Sequence, residues 1–367
     1  MSVKVISYNL LTSKLCNNSD FLNYLIPEDL DENTRKTRTI TLLENFMKFS
    51  NNPQPIICLQ EISSDWKGTL ELLFAKHDYS FFNISYGILG IGIAIPNESI
   101  TITNVEYIHI GELIKTNTSR KIWQIEEEYR EVERNRKIRE DNLTFLEKVS
   151  LIVKEYTALI PEYIRTIEET IEKAKWIKNY AIRLTLKLKT DEKEFIIYNY
   201  HMPCTFKTPI IQFLHLSVLK RLILKHHQIP TIFAGDFNIT PSSDEYNFFT
   251  GAAPIPESKM VYLPKEDQED ISYQSFKMTT IPITPFTCHN ETKFGGYFKD
   301  TLDYIFVSNA NIKMSGSLLE TDEKMPNSIC PSETFLISQS KIKKVIHYKF
   351  EKRIYMDHLP IYASIDF

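Results

Sequence analysis

The order of apolar and polar positions along the chain predicts strands before anything else. "VKVISYNL", "PIICLQEI", "IGIAIP", "AIRLTLKLK", "EFIIYNYHM", "TIFAGDF", "LDYIFVS" and "LPIYASIDF" are short apolar runs. Runs of this length bounded by small or polar residues fit strands buried on one or both faces. Helical patterning stands between some of them, over Thr34–Phe49 and in "IIQFLHLSVLKRLILKHH". Strands interleaved with helices predict an α/β architecture: two sheets, or one large sheet, with helices outside.

One tract breaks the pattern. No glycine stands between Gly111 and Gly235, and residues 119–178 are crowded with Glu, Lys and Arg. Ile160, Ile164, Ile167 and Ile171 recur there at helical spacing, and Pro161 with Glu162 suits a first helical turn. The tract predicts two or three helices inserted between strands, packed by an apolar stripe and solvated on their charged faces. No repeat or low-complexity linker divides the chain. Residues 1–367 therefore read as one domain carrying a helical insertion at 119–178.

Composition narrows the class. With 367 residues, 43% of them hydrophobic, the chain can bury a large core. A net charge of −4 excludes a global basic field, so a polyanionic partner must be met by a local patch or by metal ions. Five cysteines are an odd number without a CxxC pair, which argues against a disulfide framework or a zinc site and for a reducing compartment. The start "MSVKVISYNLL" lacks a charged leader before an apolar segment, and no run approaches a membrane span. A soluble, intracellular, cytoplasmic protein without membrane contact is expected.

The polar residues at the strand edges carry the chemistry. Asp236 and Asn238 in "AGDFNITPSSDEY" stand two apart at the end of an apolar run, a spacing that turns both side chains the same way on a strand. Asn9, Glu61, His201, Asp303 and the pair Asp357–His358 hold similar places at other strand edges. Singly, each has a bland explanation as a cap, a solvated acid or a hydrogen-bonded core histidine. Together, carboxylates, amides and imidazoles without thiols make a hard-cation phosphate site and speak against zinc.

Six motifs, "SYNLL", "CLQEI", "NYHMP", "GDFNITPSSDEY", "LDYIF" and "DHLPI", resemble in order those of the endonuclease/exonuclease/phosphatase superfamily. "GDFN" followed by "P.S..Y", and "FTCHNETKFGGYFKDTLDYIF", are most similar to the branch of carbon-catabolite-repressor-type deadenylases, nocturnin, the angel proteins and the 2′-phosphodiesterase. The resemblance implies a four-layer α/β sandwich, with two face-to-face, mainly antiparallel sheets flanked by helices, that cleaves phosphate esters with Mg²⁺ (Mn²⁺ as a substitute). It implies that Glu61, helped by Asn9, holds the metal, and that Asp357 faces a second metal position. Asp236 would orient and deprotonate the attacking water, and Asn238 would donate to a phosphate oxygen. His201 would donate to the charge developing in the transition state, while Asp303 holds the imidazole of His358. His358 paired with Asp303 stays open as the alternative general base. One departure stands out: relatives end in a "PN…PSDH" string, whereas here "MPNSICPSE" at 325–333 is separated from Asp357–His358.

Phe294, Tyr297 and Phe298 in "KFGGYFKD" precede the Asp303 strand, beside Gly295–Gly296. Rings beside a phosphate site can stack a nucleobase, worth about 1–3 kcal/mol per base. The resemblance places this segment along the 3′-terminal nucleotides, and Pro203 where relatives have a groove residue. The expected activity is thus a Mg²⁺-dependent phosphodiesterase, a 3′–5′ exoribonuclease of deadenylase type acting on single-stranded, 3′ adenosine-rich RNA, poly(A) or oligoadenylate. Alternatives within the same chemistry are 2′,5′-oligoadenylate or a dinucleotide phosphate, a DNA repair end or abasic site, an inositol phosphate or sphingomyelin. An inactive scaffold that binds a protein partner through the 119–178 insertion is the non-enzymatic alternative.

Overall fold

The structure is a computed structural model. It describes residues 2–12, 31–48, 53–115, 166–205, 208–270, 276–280, 287–291, 297–308, 313–318, 358 and 360–366. Asp357, Phe294, the 325–333 segment and residues 119–165 of the insertion lie outside the described residues.

Two six-stranded sheets form the centre. Sheet one is built from β1 (Ser2–Asn9), β2 (Ile56–Gln60), β3 (Tyr79–Tyr86), β4 (Leu89–Pro96), β13 (Lys313–Leu318) and β14 (Ile361–Asp366). Sheet two comprises β5 (Ile100–His109), β6 (Tyr180–Leu188), β7 (Glu194–His201), β8 (Thr231–Asp236), β9 (Met278–Thr280) and β12 (Asp303–Ser308). Their strand orders are β13-β14-β1-β2-β4-β3 and β5-β6-β7-β8-β12-β9. Among the described residues, only β1 with β2 and β7 with β8 pair in parallel; the other ladders within the two sheets are antiparallel. A separate hairpin of β10 (Cys288–Glu291) and β11 (Tyr297–Asp300) leads into β12.

Helices cover both outer faces. Helix α1 (Glu32–Lys48) and α2 (Lys67–Lys76) bury Leu42, Phe46, Leu70 and Phe74 against Ile6, Tyr8 and Ile57 of sheet one. Helix α3, over 166–176, and α4 (Pro209–Leu224) cover sheet two, where Ile171 and Phe213 join Ile196 and Tyr198. Between the sheets lie Ile182, Leu184, Leu186, Ile197, Ile232 and Ile305, facing Val5, Ile93 and Ile365. Because both faces of the central strands are covered, they read as nearly unbroken apolar runs rather than alternating ones. Four layers, α/β/β/α, result.

The described part of the insertion belongs to this core. Ile167, Ile171 and Ala174 of α3 are buried with α4 and sheet two. His215 of α4 accepts at Nδ1 the Tyr200 hydroxyl, at 2.6 Å, and its Nε2 donates to the Ala174 carbonyl at 3.0 Å. A self-contained hairpin resting on the surface is not what residues 166–176 form.

A buried polar pin ties the sheets together just beneath their rim. Asn199 Nδ2 donates to the carbonyls of Leu59 and Gly92 at 2.9 and 2.8 Å. Its Oδ1 accepts from Gln60 Nε2 at 2.7 Å, and that nitrogen also reaches Ser7 Oγ at 3.2 Å. Buried amides left unpaired cost about 1–3 kcal/mol each, so the sheets are held at the one offset that satisfies them. Glu61 follows Gln60, and His201 comes two residues after Asn199.

Candidate active site

Six strand ends meet at one rim of the sandwich. Asn9 ends β1, Glu61 follows β2, His201 ends β7, Asp236 ends β8, Asp303 opens β12, and His358 forms an isolated bridge with Cys288 shortly before β14. Across sheet two the register sets His201 beside Asp236 and Asp236 beside Asp303. All six are buried.

Local backbone geometry aims these groups. Glu61 and Asn238 hold positive φ values of 54° and 49°. Asparagine tolerates that region; for glutamate it is an uncommon conformation, kept here by its hydrogen bonds. Gly235 adopts φ 152°, and a Cβ on it would collide with the Tyr200 carbonyl oxygen, so only glycine lets β8 run this close to β7. The amide of Asn238 donates to Asp236 Oδ1 at 2.9 Å and fixes the carboxylate.

Asn9 joins the two acids. Its Nδ2 donates to Glu61 Oε1 and to Asp236 Oδ2, both at 3.0 Å, and its Oδ1 accepts from the Leu11 amide at 2.9 Å. Both amide hydrogens are engaged by the acids. The second Glu61 oxygen accepts from the Thr12 amide at 3.1 Å. His201 Nε2 lies 3.8 Å from Glu61 Oε1 and 3.6 Å from Asp236 Oδ2, and its Nδ1 is buried without a hydrogen-bond partner among the described residues. On the other side, His358 Nε2 stands 3.6 Å from Asp236 Oδ2 while its Nδ1 is 2.8 Å from Asp303 Oδ2. Burial pushes the Asp236 carboxyl up from the usual range, and the neighbouring Asp303 adds to this against the opposing pull of His358, His201 and the Asn238 amide.

Two overlapping groups have the reach to hold a cation: Glu61, His201 and Asp236, and Asp236, Asp303 and His358, with the ligand atoms of each group within 4.8 Å of one another. Oxygen donors prevail, the preference of Mg²⁺ or Mn²⁺. Glu61 and Asp236 are like charges, buried and separated by only a neutral amide. The donor set fits a divalent cation.

The remaining expected residues are placed less centrally. Asn238 Nδ2 donates to the Met202 carbonyl at 2.9 Å. Pro203 is buried just after His201, and its carbonyl accepts from Gln212 at 3.3 Å. Tyr297 and Phe298 fall on β11, opposite Glu291 and Asn290, in a hairpin strand.

Three supporting residues were not anticipated. Thr287 Oγ1 accepts from the amides of Leu302 and Asp303 at 2.9 and 3.0 Å and so sets the start of β12. Asn179 Nδ2 donates to the His201 carbonyl at 2.6 Å. Arg35 is buried on α1, paired with Glu32, stacked on Trp66 at 4.6 Å, and donates to the carbonyls of Leu10 and Leu11. It thereby holds the turn that presents Asn9 and the Thr12 amide. Its signal was readable: Arg35, Thr39, Leu42 and Phe46 share one helical stripe, so an arginine sits on an otherwise buried face.

A two-sheet α/β sandwich with acids, amides and histidines converging at one rim defines a phosphoesterase-type hydrolase. The chain belongs to the endonuclease/exonuclease/phosphatase family, which it matches over residues 6–324. No curated protein matches it by sequence. Among solved structures it is similar to ANGEL2, described as a 2′,3′-cyclic phosphatase and bound to adenosine-2′,3′-vanadate: 16% identity, TM-score 0.61, covering 100% of this chain and 95% of that one. It is also similar to the human Nocturnin catalytic domain, at 16% identity, TM-score 0.52 and coverage of 100% and 94%. TDP2 of D. rerio, complexed with a single-stranded DNA product, aligns at 12% identity, TM-score 0.52 and coverage of 100% and 99%. At these identities the likeness concerns the fold. No described helix is long and apolar enough to cross a membrane.

Proposed function

We propose that the protein is a Mg²⁺-dependent phosphodiesterase and, within that class, a 3′–5′ exoribonuclease of deadenylase type. The observation that carries the reading is the shared grip of Asn9 on Glu61 and Asp236, with a histidine on either side of the pair. Hydrolysis at phosphorus needs a positioned water, neutralised phosphate oxygens and stabilised developing charge.

Each need has a residue. Glu61 would hold the cation beside Asp236, oriented by Asn9 and Thr12; the cation supplies charge neutralisation at the phosphate. Asp357 is the proposed ligand of a second metal position. Asp236 orients and deprotonates the attacking water, and burial makes it a better base than an ordinary carboxylate. His201 offers Nε2 to the charged oxygens. Asn238, neutral, can donate to a phosphate oxygen without repelling it. Asp303 fixes the tautomer of His358, so that Nε2 can take or give a proton at the reacting atoms. Adenosine preference rests on the likeness of "GDFNITPSSDEY" to deadenylase motifs and on Tyr297, Phe298 and Pro203 as contacts for the terminal nucleotides. Such selection must come from stacking and base edges of unpaired strands, since every linkage presents the same phosphate.

The deciding experiment is a substrate panel with Mg²⁺: labelled oligo(A), oligo(U) and oligo(C), 2′,5′-oligoadenylate, an RNA ending in a 2′,3′-cyclic phosphate, a dinucleotide phosphate, a DNA abasic duplex and a phosphoinositide. Stepwise shortening of oligo(A) from its 3′ end, faster than the other homopolymers and abolished by EDTA, is expected. Equal rates on the homopolymers, or preferential cutting of an abasic duplex, would replace the deadenylase reading with another phosphate ester.

A further inference from the structure

The line of functional residues on sheet two does not stop at His201. His109 pairs with Tyr180 across β5 and β6, and Ala181 pairs with Tyr200 across β6 and β7, which sets Tyr180 next to His201. His201 pairs with Asp236, and Asp236 with Asp303. Residues at one level of neighbouring strands point to the same face. His109 and Tyr180 therefore extend the catalytic line toward the β5 edge.

Sheet one adds a third ring. Tyr86 ends β3, and its ring centroid lies 6.0 Å from that of Tyr180, which in turn lies 4.9 Å from His109. The turn after Tyr86 abuts the metal-holding loop, because Thr12 Oγ1 donates to the Ile88 carbonyl at 3.2 Å. Tyr180 and His109 are partly open to solvent, whereas Tyr86 is only 9% exposed. The Tyr86 hydroxyl is buried and has no hydrogen-bond partner among the described residues. Filling the sheet edge would need only a phenyl ring; a buried hydroxyl without a partner costs about 1–3 kcal/mol. Burial, reinforced by the charges of Glu61 and Asp236, raises its pKa well above that of an ordinary tyrosine, so the phenol stays a donor.

The geometry points to a second substrate subsite: Tyr86, Tyr180 and His109 form a shelf for a nucleobase on the β5 side of the phosphate, with the Tyr86 hydroxyl donating to an oxygen of the same nucleotide. The β10–β11 hairpin leads into β12 on the opposite side of β8, and its Cys288 bridges His358. This inference rests on the phosphodiesterase reading and names where one of its two nucleosides sits.

Dinucleotides joined by a 3′,5′-phosphodiester, with one base or the other replaced by hydrogen, test it on the full chain with Mg²⁺. Tyr180→Ala should lower kcat/KM for the intact dinucleotide about tenfold more than for one of the two abasic analogues, a coupling of ~1.4 kcal/mol that falls mainly in KM. Tyr180→Trp, which keeps a stacking face, should retain that coupling. Equal losses on all substrates would mean a structural role and overturn the shelf. A second arm needs no turnover: 2-aminopurine riboside 5′-monophosphate should be quenched on binding the wild type, and bind Tyr180→Ala at least about fivefold more weakly. If no diester is cleaved but this difference holds, the phosphodiesterase reading falls and the shelf stands. Quenching that is absent or unchanged by Tyr180→Ala overturns the shelf whatever the activity.

Discussion

His358 and Asp303, 55 residues apart in sequence, meet with Nδ1 2.8 Å from Oδ2, both side chains buried. Such a pair acts as one unit, because the carboxylate fixes which imidazole nitrogen carries the proton. Asp303→Asn and His358→Ala should each lower kcat by about a hundredfold or more, within the usual contribution of acid–base groups. The double variant should be little worse than the weaker single one. Additive losses, measured on whichever substrate the panel identifies, would show that the two act separately.

Glu61→Gln probes the cation site without relying on activity. The change keeps the side chain's shape and removes the charge that accepts from Asn9 Nδ2 and the Thr12 amide. Wild-type melting temperature should rise with Mg²⁺ or Mn²⁺, since a ligand at a hundred times its dissociation constant adds about 2.7 kcal/mol. In Glu61→Gln most of that rise should vanish and turnover with it. An undiminished rise, followed by calorimetry, would move the cation elsewhere.

Much of this arrangement was legible in the sequence. The eight apolar runs all correspond to strands, and Thr34–Phe49 to α1 at Glu32–Lys48, because strands covered on both faces and a helix with a buried stripe leave strong patterns. The site residues stood out because each interrupts an apolar run at its end. Strands β3 and β5 were missed: "YSFFNISY" and "ITITNVEYIH" mix polar and apolar positions at the sheet edges, where one face is wet. Partners such as Asn179 and Thr287 were invisible for another reason. Their role depends on which strand lies next to which, and one-dimensional pattern does not encode that.

The boundary of the insertion can be tested by where a replacement stops. Exchanging residues 120–164 for a Gly-Ser linker of about ten residues should leave a folded, active enzyme. Extending the exchange to residue 176 removes Ile167, Ile171 and Ala174 from the core. Loss of one buried isoleucine costs about 2–5 kcal/mol when truncated to alanine, so removing two with their helix should take away most of a typical domain's stability of about 5–15 kcal/mol. The short replacement should be soluble with a cooperative melt and the long one should not. Equal behaviour of both would mean that α3 is dispensable.

Acid stability should report on His215. Burial, above all, holds its imidazole down at about 4 in the folded chain, and its Nε2–H donates to Ala174 while Nδ1 accepts from Tyr200. An unfolded histidine titrates near 6.5. Between these values the unfolded chain binds the extra proton, so the stability contributed by the neutral ring is complete above about pH 6.5 and is lost as pH falls toward 4. By that linkage, moving from pH 7.5 to pH 5 should cost about 2 kcal/mol through this one group. His215→Phe gives up both hydrogen bonds and leaves the Tyr200 hydroxyl and the Ala174 carbonyl unpaired, so it should be less stable than wild type at pH 7.5. Urea titrations at the two pH values should show the gap narrowing by about 2 kcal/mol at pH 5, because the variant has no imidazole to protonate. A gap that stays constant would mean that the buried ring takes up its proton as readily in the folded as in the unfolded chain, and that burial with Ala174 and Tyr200 does not hold it neutral.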